Sequence, residues 1–394
     1  MANQDPIVIV EALRTPMGGF GGALSTVDAP SLGSSAIAGL VKNTGLAIEQ
    51  IDEVIMGCVL PAGLGQAPAR QAALNAGLSK STPCTTINKV CGSGMKAVMM
   101  AHDFVAAGSA NIVVAGGMES MSLSPYMLPK ARAGMRMGHG EVKDHMFLDG
   151  LEDAYTGKAM GIFAQQTADD NGFTREQMDE YAITSLARAN HAIESNAFAD
   201  EIVPVTISSR RGDTVVDTDE QPGNARVDKI PSLRPAFAKD GTITAANASS
   251  ISDGASALLI MKASEAKKQG LAPLAKIVAH ATHAQEPSEF TIAPVGAMES
   301  VLSKAGWQVN DVDLFEINEA FAMVTMLGMK ALELDHNKVN VNGGACALGH
   351  PLGSSGSRII VTLLHALKQR QLSKGIASLC IGGGEATAIA VEMI

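Results

Sequence analysis

Two stretches of the chain, 261 residues apart, read as copies of one another. Residues 40–54, LVKNTGLAIEQIDEV, resemble 301–315, VLSKAGWQVNDVDLF, with Gly45 over Gly306, Ile51 over Val312 and Asp52 over Asp313. CGSGMKAV from Cys91 resembles GSSGSRII from Gly353 at an offset of 262, and NIVVAGGMES at 111–120 resembles IASLCIGGGEA at 376–386. Each match alone is weak. Three in order at a nearly constant offset indicate two homologous halves, so the chain has to build one kind of unit twice.

Within each half, strand and helix signals alternate. IVIVEA (7–12), VIMGCVL (54–60) and NIVVAGG (111–117) are short apolar runs rich in β-branched residues and closed by Gly or Pro, as suits strands covered on both faces. SLGSSAIAGLVKNTG between them reads as a helix stopped at Gly45. This alternation, made twice, predicts an α/β fold with helix-covered sheets. Residues 122–245 fit neither repeat and read as an insertion from the first half, containing a helix at TREQMDEYAITSLARANHAIESN. The expected units are therefore 1–121 plus 246–271, the inserted loop domain 122–245, and 272–394. Between 205 and 241 the insertion carries Arg210, Arg211, Arg226, Lys229, Arg234 and Lys239 among six acidic residues. Such a segment is either a solvated surface or a lid that meets an anionic ligand.

The 394 residues carry 30 Lys plus Arg against 40 Asp plus Glu, a net charge of −10, which argues against nucleic acid or an anionic membrane as the main partner. Hydrophobic residues make up 46%, which excludes an intrinsically disordered chain. No apolar run approaches the ~18 residues of a membrane span. The opening MANQDPIVIVEALR has no basic residue before Arg14, unlike a leader peptide. Cys58, Cys84, Cys91, Cys346 and Cys380 are odd in number and contain no CxxC pair, so neither a disulfide framework nor a zinc ribbon is expected. The expectation is a reduced, soluble, cytoplasmic protein.

Cys91 follows the strand-like TTI and precedes Gly-Ser-Gly and the apolar-periodic MKAVMMAHDFVAAG, so it sits at a helix entry. Free N–H groups and the helix dipole there are expected to lower a thiol pKa. The neighbouring glycines are expected to let a substrate approach the backbone. A buried structural cysteine is the commoner fate, but the matching residue in the second repeat is Gly353, so the fold does not need the thiol. His350 lies in a Gly-rich loop before Pro351, with a fixed backbone and an exposed ring expected. A neutral imidazole there could serve as base to a nucleophilic cysteine. Cys380 ends the strand IASLC before Gly-Gly-Gly. It is either a small core residue or a second thiol facing the first across a pocket. Asn318, after VDLFEI, reads first as a helix N-cap and otherwise as an amide that orients a water or carbonyl. Glu119 and Glu319 follow apolar strands and should be buried and hydrogen-bonded. His280 and His283 form an H-x-x-H lacking the spacing of a zinc protease, so no metal is expected from them.

Taken together, NKVCGSG, GGMES, NEAFA, GGACALGHPLGSSG and CIGGG resemble, in order and over nearly the whole chain, the motifs of the thiolase family. TTINKVCGSGMKA and EPSEFTIAPV are most similar to its acetoacetyl-CoA branch. The resemblance implies a duplicated five-layer α-β-α-β-α thiolase fold with an inserted loop domain. It implies acetyl-CoA C-acetyltransferase activity: reversible thiolysis of acetoacetyl-CoA, or Claisen condensation of two acetyl-CoA, through an acyl-Cys91 intermediate. Carried over by motif, Cys91 would be the nucleophile and His350 would activate it and help hold the thioester oxygen. Asn318 would hold a water in that oxyanion hole, Cys380 would exchange the C2 proton, and the N–H groups of Cys91 and Gly382 would form a second oxyanion hole. Arg226, Ser249, Met160, Phe290, Ala320 and Phe321 would meet coenzyme A or the acyl group. Coenzyme A enters as co-substrate, with no permanent cofactor and no catalytic metal. The family's usual state is a homotetramer, a dimer of dimers, with a tetramerisation loop near 125–142.

The chain departs from the family pattern in three places. Ala159 stands where short-chain relatives carry His, Glu385 follows the last glycines in place of the frequent GGGMG, and DEQPGNARVD has no match for a potassium-site tyrosine. The rival readings are a broader 3-ketoacyl-CoA thiolase of β-oxidation, a decarboxylating ketoacyl synthase, which would not need Cys380, and a non-catalytic CoA- or lipid-binding relative, which could have lost Cys91, His350 or Cys380.

Overall fold

The computed structural model describes residues 5–394; the first four residues of the segment read for a leader lie outside them. The first half runs β1 (Ile7–Arg14), α1 (Ala29–Thr44), β2 (Glu53–Gly57), α2 (Pro68–Asn75), β3 (Cys84–Ile87), α3 (Ser93–Ala107) and β4 (Ile112–Ser120). An excursion with α4 (Met160–Asp170) and α5 (Arg175–Glu194) follows before β5 (Ser252–Lys262) returns to the sheet. The second half runs β6 (Ala275–Ala284), α6 (Ala293–Ala305), β7 (Leu314–Ile317), α7 (Ala322–Leu332), α8 (Leu352–Arg370), β8 (Lys374–Ile381) and β9 (Glu385–Met393).

Strand order is β3-β2-β4-β5-β1 in one half and β6-β9-β8-β7 in the other. β3, β2 and β4 are parallel, and β5 runs antiparallel to both β4 and β1. The second half repeats this plan: β7 and β8 are parallel, and β9 is antiparallel to β8 and β6. Among the described residues the two are joined through the pairs Val8–Lys276 and Ile9–Ala275. One apolar cluster holds Ile9, Val113 and Leu258 from the first half, Leu314, Leu379 and Ile389 from the second, and Met95, Val98, Ile359 and Leu363 from α3 and α8. Those helices are thus the central layer. α1 and α2 cover the outer face of one sheet, and α6 that of the other. This is the five-layer arrangement.

The matched residues do matching work. Gly45 and Gly306 both close a helix in the left-handed conformation, with φ of 64° and 68°. Asp52 accepts from the N–H groups of Asn111 and Ile112 at 2.8 and 3.1 Å, and Asp313 accepts from Ser373 and Lys374 at 2.9 and 2.8 Å. Each aspartate thereby anchors the start of β4 or β8. The matched pair Gly94 and Gly356 lies where α3 crosses α8. A Cβ on Gly94 would fall 2.8 Å from the Ser357 nitrogen, and one on Gly356 would fall 2.5 Å from that of Met95. Glycine here lets two buried backbones touch.

The strand expected at 54–60 ends at Gly57 because the N–H groups of Val59 and Leu60 turn to the buried Glu119 carboxylate, at 2.9 and 3.1 Å. In the insertion, Thr174 and Gln177 form a capping box that starts α5. Arg14 of β1 pairs with Glu201 and Asp219, all three fully or nearly fully buried, which fastens the insertion to the first half.

Candidate active site

Cys91 lies in a tight turn between β3 and α3. Asn88 Oδ1 accepts from the Val90 N–H at 2.8 Å, Ser93 Oγ accepts from the Lys89 N–H at 2.8 Å, and that hydroxyl donates to the Val90 carbonyl at 2.6 Å. These bonds hold Val90 at φ 46°, a left-handed conformation costly for a β-branched residue. The strain aims the next side chain, Cys91, into a cavity.

That cavity encloses about 400 Å³, and its walls are overwhelmingly apolar. Cys91, His350 and Cys380 all line it, as does Gly382. Met160, Ser249, Phe290, Ala320 and Phe321 line it too, and so does Ala159. Arg226 does not. It lies with Lys229 in an adjoining cavity of about 360 Å³. The two cavities share Ala245 and Ser250, so an elongated ligand could reach from Arg226 to Cys91. Of the six basic residues read as a possible lid, only Arg226 and Lys229 line this site.

Helix entry does not lower the Cys91 pKa as the sequence suggested. Burial pushes its thiol up to about 11, only partly opposed by the backbone N–H groups of Gly382 and Cys91 itself. Two peptide dipoles do not replace the water that burial removes. The resting Cys91 side chain is therefore a thiol. The Cys380 thiol is raised as well, first by burial and then by the neighbouring Cys91. The glycines beside Cys91 clear space for protein, not for substrate: a Cβ on Gly92 would meet the Ile381 side chain, and Gly94 packs on α8.

The His350 ring is buried, not exposed, and the Gly-rich loop around it is largely core. Gly344 has no room for a Cβ against the Glu319 carboxylate, and Gly349, at φ 107°, has none against Ser252. The Ser355 hydroxyl donates to the Pro351 carbonyl at 2.9 Å, so its lone pair accepts from His350 Nδ1–H at 2.6 Å. Nε2 is then the nitrogen with the free lone pair. Burial, with Arg358 adding to it, pushes the ring down to about 3, so it is neutral at physiological pH.

Asn318 is not an N-cap. α7 begins four residues later, behind Phe321. The Asn318 amide nitrogen is 3.5 Å from the His350 ring nitrogens, and its Oδ1 is buried without a protein hydrogen-bond partner. Its neighbour Glu319 collects Tyr181 at 2.9 Å, Ser185 and Asn340 at 2.8 Å, and the Cys346 N–H at 3.0 Å. Glu119 is the counterpart in the first half. It accepts from Val59, Leu60 and Gly353, and burial raises it to about 7. Both glutamates are buried and hydrogen-bonded as expected.

Sequence reasoning missed Ser355, whose role shows only once α8 is formed. It also missed Phe147, Leu151 and Phe237, which the insertion brings to the cavity wall. A histidine followed five residues later by serine at a helix start was the available signal for Ser355.

Residues 7–264 match the family model described as thiolase, N-terminal domain, and 271–393 match thiolase, C-terminal domain. An acetyl-CoA acetyltransferase of Thiocystis violacea is 50% identical over 393 residues, which cover 99% of this chain and 100% of that protein. A probable acetyl-CoA acetyltransferase of Dictyostelium discoideum is also 50% identical, over 100% of this chain and 95% of its own. Among solved structures, the Bacillus anthracis acetyl-CoA acetyltransferase superposes with a TM-score of 0.96 at 43% identity, covering 99% of each chain. A thiolase from Ascaris suum in complex with coenzyme A superposes at 0.93 and 43% identity, covering 99% of this chain and 100% of the other.

Proposed function

The chain belongs to the thiolase family and is an acetyl-CoA C-acetyltransferase, and we propose that it cleaves acetoacetyl-CoA, and forms it in reverse, through an acetyl group carried on Cys91. One observation carries this reading: Cys91, Cys380 and His350 converge on one apolar cavity, which Gly382 also lines.

In the cleavage direction His350 Nε2 takes the Cys91 proton as the sulfur attacks the C3 carbonyl carbon of acetoacetyl-CoA. The N–H groups of Cys91 and Gly382 hold the resulting oxyanion. As the carbonyl reforms, the C2–C3 bond breaks and its electron pair stays on C2. The enolate oxygen is met by His350, now an Nε2–H donor, and by the Asn318 site. The Cys380 thiol gives its proton to C2, which releases acetyl-CoA. The Cys380 thiolate then takes the proton of an incoming coenzyme A thiol, whose sulfur attacks the acetyl carbon and leaves as a second acetyl-CoA; the displaced Cys91 thiolate regains its proton from His350 Nε2–H, which restores the starting state. Two thiols and one imidazole supply all the proton transfers, so coenzyme A as co-substrate is the sole small-molecule requirement.

Arg226 and Lys229 suit the phosphates or nucleotide of coenzyme A, and Ser249, in the cavity of Cys91 and beside the shared Ser250, suits its pantetheine arm. Exposed apolar side chains concentrate on 123–148, among them Tyr126, Met137 and Val142, which supports a homotetramer assembled through this segment. Five free cysteines support residence in the reducing cytoplasm, in lipid metabolism. The decisive experiment is thiolysis of acetoacetyl-CoA by the wild-type chain and by Cys91→Ala, with mass spectrometry of the acylated protein. One acetyl group on a Cys91 peptide is expected. An acetyl group on another residue, or no turnover by the wild type, contradicts the reading. Light scattering should give four chains per particle.

A further inference from the structure

Among the described residues, one group of three side chains with ligand atoms suited to a metal ion stands outside the active site: His102 and Asp103 on α3, and His280 on β6. His102 lies roughly 15 Å along the helix from Cys91, at 1.5 Å per residue. Its Nδ1 is 3.0 Å from Asp103 Oδ1, His280 Nε2 is 3.0 Å from the same oxygen, and the two nitrogens are 3.2 Å apart. The three atoms form a nearly equilateral triangle.

Hydrogen bonds alone do not account for all three edges. Two neutral imidazoles bring at most one hydrogen each to this triangle, and an ionised carboxylate brings none. One edge is therefore left as a bare contact between polar atoms. A cation over the face would draw on all three lone pairs at once. The edges also have the right length. Bonds of about 2.1 Å give ligand–ligand edges of about 3.0 Å in octahedral and about 3.4 Å in tetrahedral coordination. The imidazole rings stand at 83° to one another, with centroids 4.9 Å apart, edge to face rather than stacked. On the solvent side the Asp103 side chain is 56% exposed, which leaves room for water ligands.

We propose that His102, Asp103 and His280 form a facial two-histidine, one-carboxylate site for a first-row divalent transition-metal ion such as Zn²⁺ or Co²⁺. Two imidazoles and one carboxylate select such ions over Ca²⁺ or Mg²⁺, which prefer all-oxygen sets. The site would staple the central helix of the first half to a strand of the second, and its role is one of stability, with no part in acyl transfer. His283, the other half of the H-x-x-H motif, is not a ligand. Three residues along a strand reverses the face, and its Nε2 meets Gln285 Oε1 at 3.1 Å. Lys304 donates to the His280 carbonyl at 3.0 Å, a nearby positive charge that lowers affinity for a cation.

The test uses the full chain, freed of metal with EDTA and with Cys91 capped by iodoacetamide to remove a competing thiolate. Titration with Co²⁺ should load one ion per chain, with d–d absorption but no thiolate-to-cobalt charge-transfer band. Co²⁺ or Zn²⁺ should also raise Tm in proportion to the logarithm of its concentration. His280→Gln should lose about tenfold or more in affinity together with the Tm shift, while His283→Gln keeps both. If His280→Gln does not fold, Asp103→Asn, altered at a half-exposed side chain, serves in its place. Absence of uptake by the wild type, or unchanged uptake in His280→Gln or Asp103→Asn, overturns the site and leaves a hydrogen-bonded triad.

Discussion

The Lys89 ammonium and the Glu385 carboxylate form an ion pair that ties the turn carrying Cys91 to the loop carrying Gly382. Lys89 stands two residues before Cys91, and Glu385 opens β9 directly after the Gly382–Gly384 turn. Gly383 and Gly384 take φ of 93° and 88°, so that turn is held by its ends and not by its own side chains. The backbone N–H groups of Cys91 and Gly382, which both oppose the rise in the Cys91 pKa, come one from each side of this pair. Glu385, which departs from the family pattern, is thus tied to the turn that carries Cys91.

Glu385→Gln should weaken that alignment without removing any reacting group. Both partners are partly exposed, so the pair is worth up to about 1 kcal/mol, or about fivefold in rate. We expect kcat for acetoacetyl-CoA thiolysis to fall within that range with KM for coenzyme A unchanged, and the wild-type advantage to shrink in high salt. An unchanged kcat would leave the pair purely structural. A loss above a hundredfold would mean that Glu385 itself takes part in the chemistry.

The high Cys91 pKa sets a pH dependence. Below about 11 the thiolate is the minor form, and its share rises roughly tenfold per pH unit. Inactivation of free enzyme by iodoacetamide should therefore keep climbing through pH 9 without a plateau near neutrality. His350, neutral above about 3, should add no inflection near pH 6.5. A plateau between pH 6 and 8 would reveal a resting thiolate–imidazolium pair and contradict the neutral state.

The two thiols should separate on mutation. Cys380→Ser keeps a small polar group in a buried position but lacks an acid of comparable strength, so it should still accept an acetyl group on Cys91 and lose exchange of the acetyl C2 protons with solvent. His350→Ala should slow acylation itself. Exchange at the wild-type rate in Cys380→Ser, followed by NMR in deuterated buffer, would remove Cys380 from the mechanism.

Features set by neighbours in the chain were legible in the sequence. Gly45 and Gly306 could be matched because a left-handed C-cap is a local demand, and the Thr174 capping box is written within four residues. Asp52 and Asp313 could be matched because both halves must anchor a parallel strand in the same way. Properties that need distant parts of the chain were not legible. The Cys91 pKa depends on burial by residues from both halves and the insertion. The His350 tautomer depends on where α8 begins. The approach of His280 to His102 joins residues 178 positions apart and follows from packing α3 against the second half.

The acyl end of the cavity should discriminate by chain length. Phe290 is buried there, in one apolar cluster with Met160, Phe237 and Phe321. Packing is close, since a Cβ on Gly161 would fall 2.2 Å from the Phe237 ring. A long acyl chain would have to displace rigid aromatic side chains, whereas an acetyl group or a small 2-methyl branch beside Ala159 would not. Each methylene in such a pocket changes transition-state binding by only about 1–3 kcal/mol, so preference should be graded. We expect kcat/KM for thiolysis to be highest for the four-carbon 3-ketoacyl-CoA, lower for five carbons and lower again for eight and sixteen. Phe290→Leu, a large-to-small change that opens space at some cost in stability, should narrow the gap between four and eight carbons. A flat profile in the wild type, or a preference for sixteen carbons, would assign the chain to the broad-range branch and show that Phe290 does not bound the acyl site.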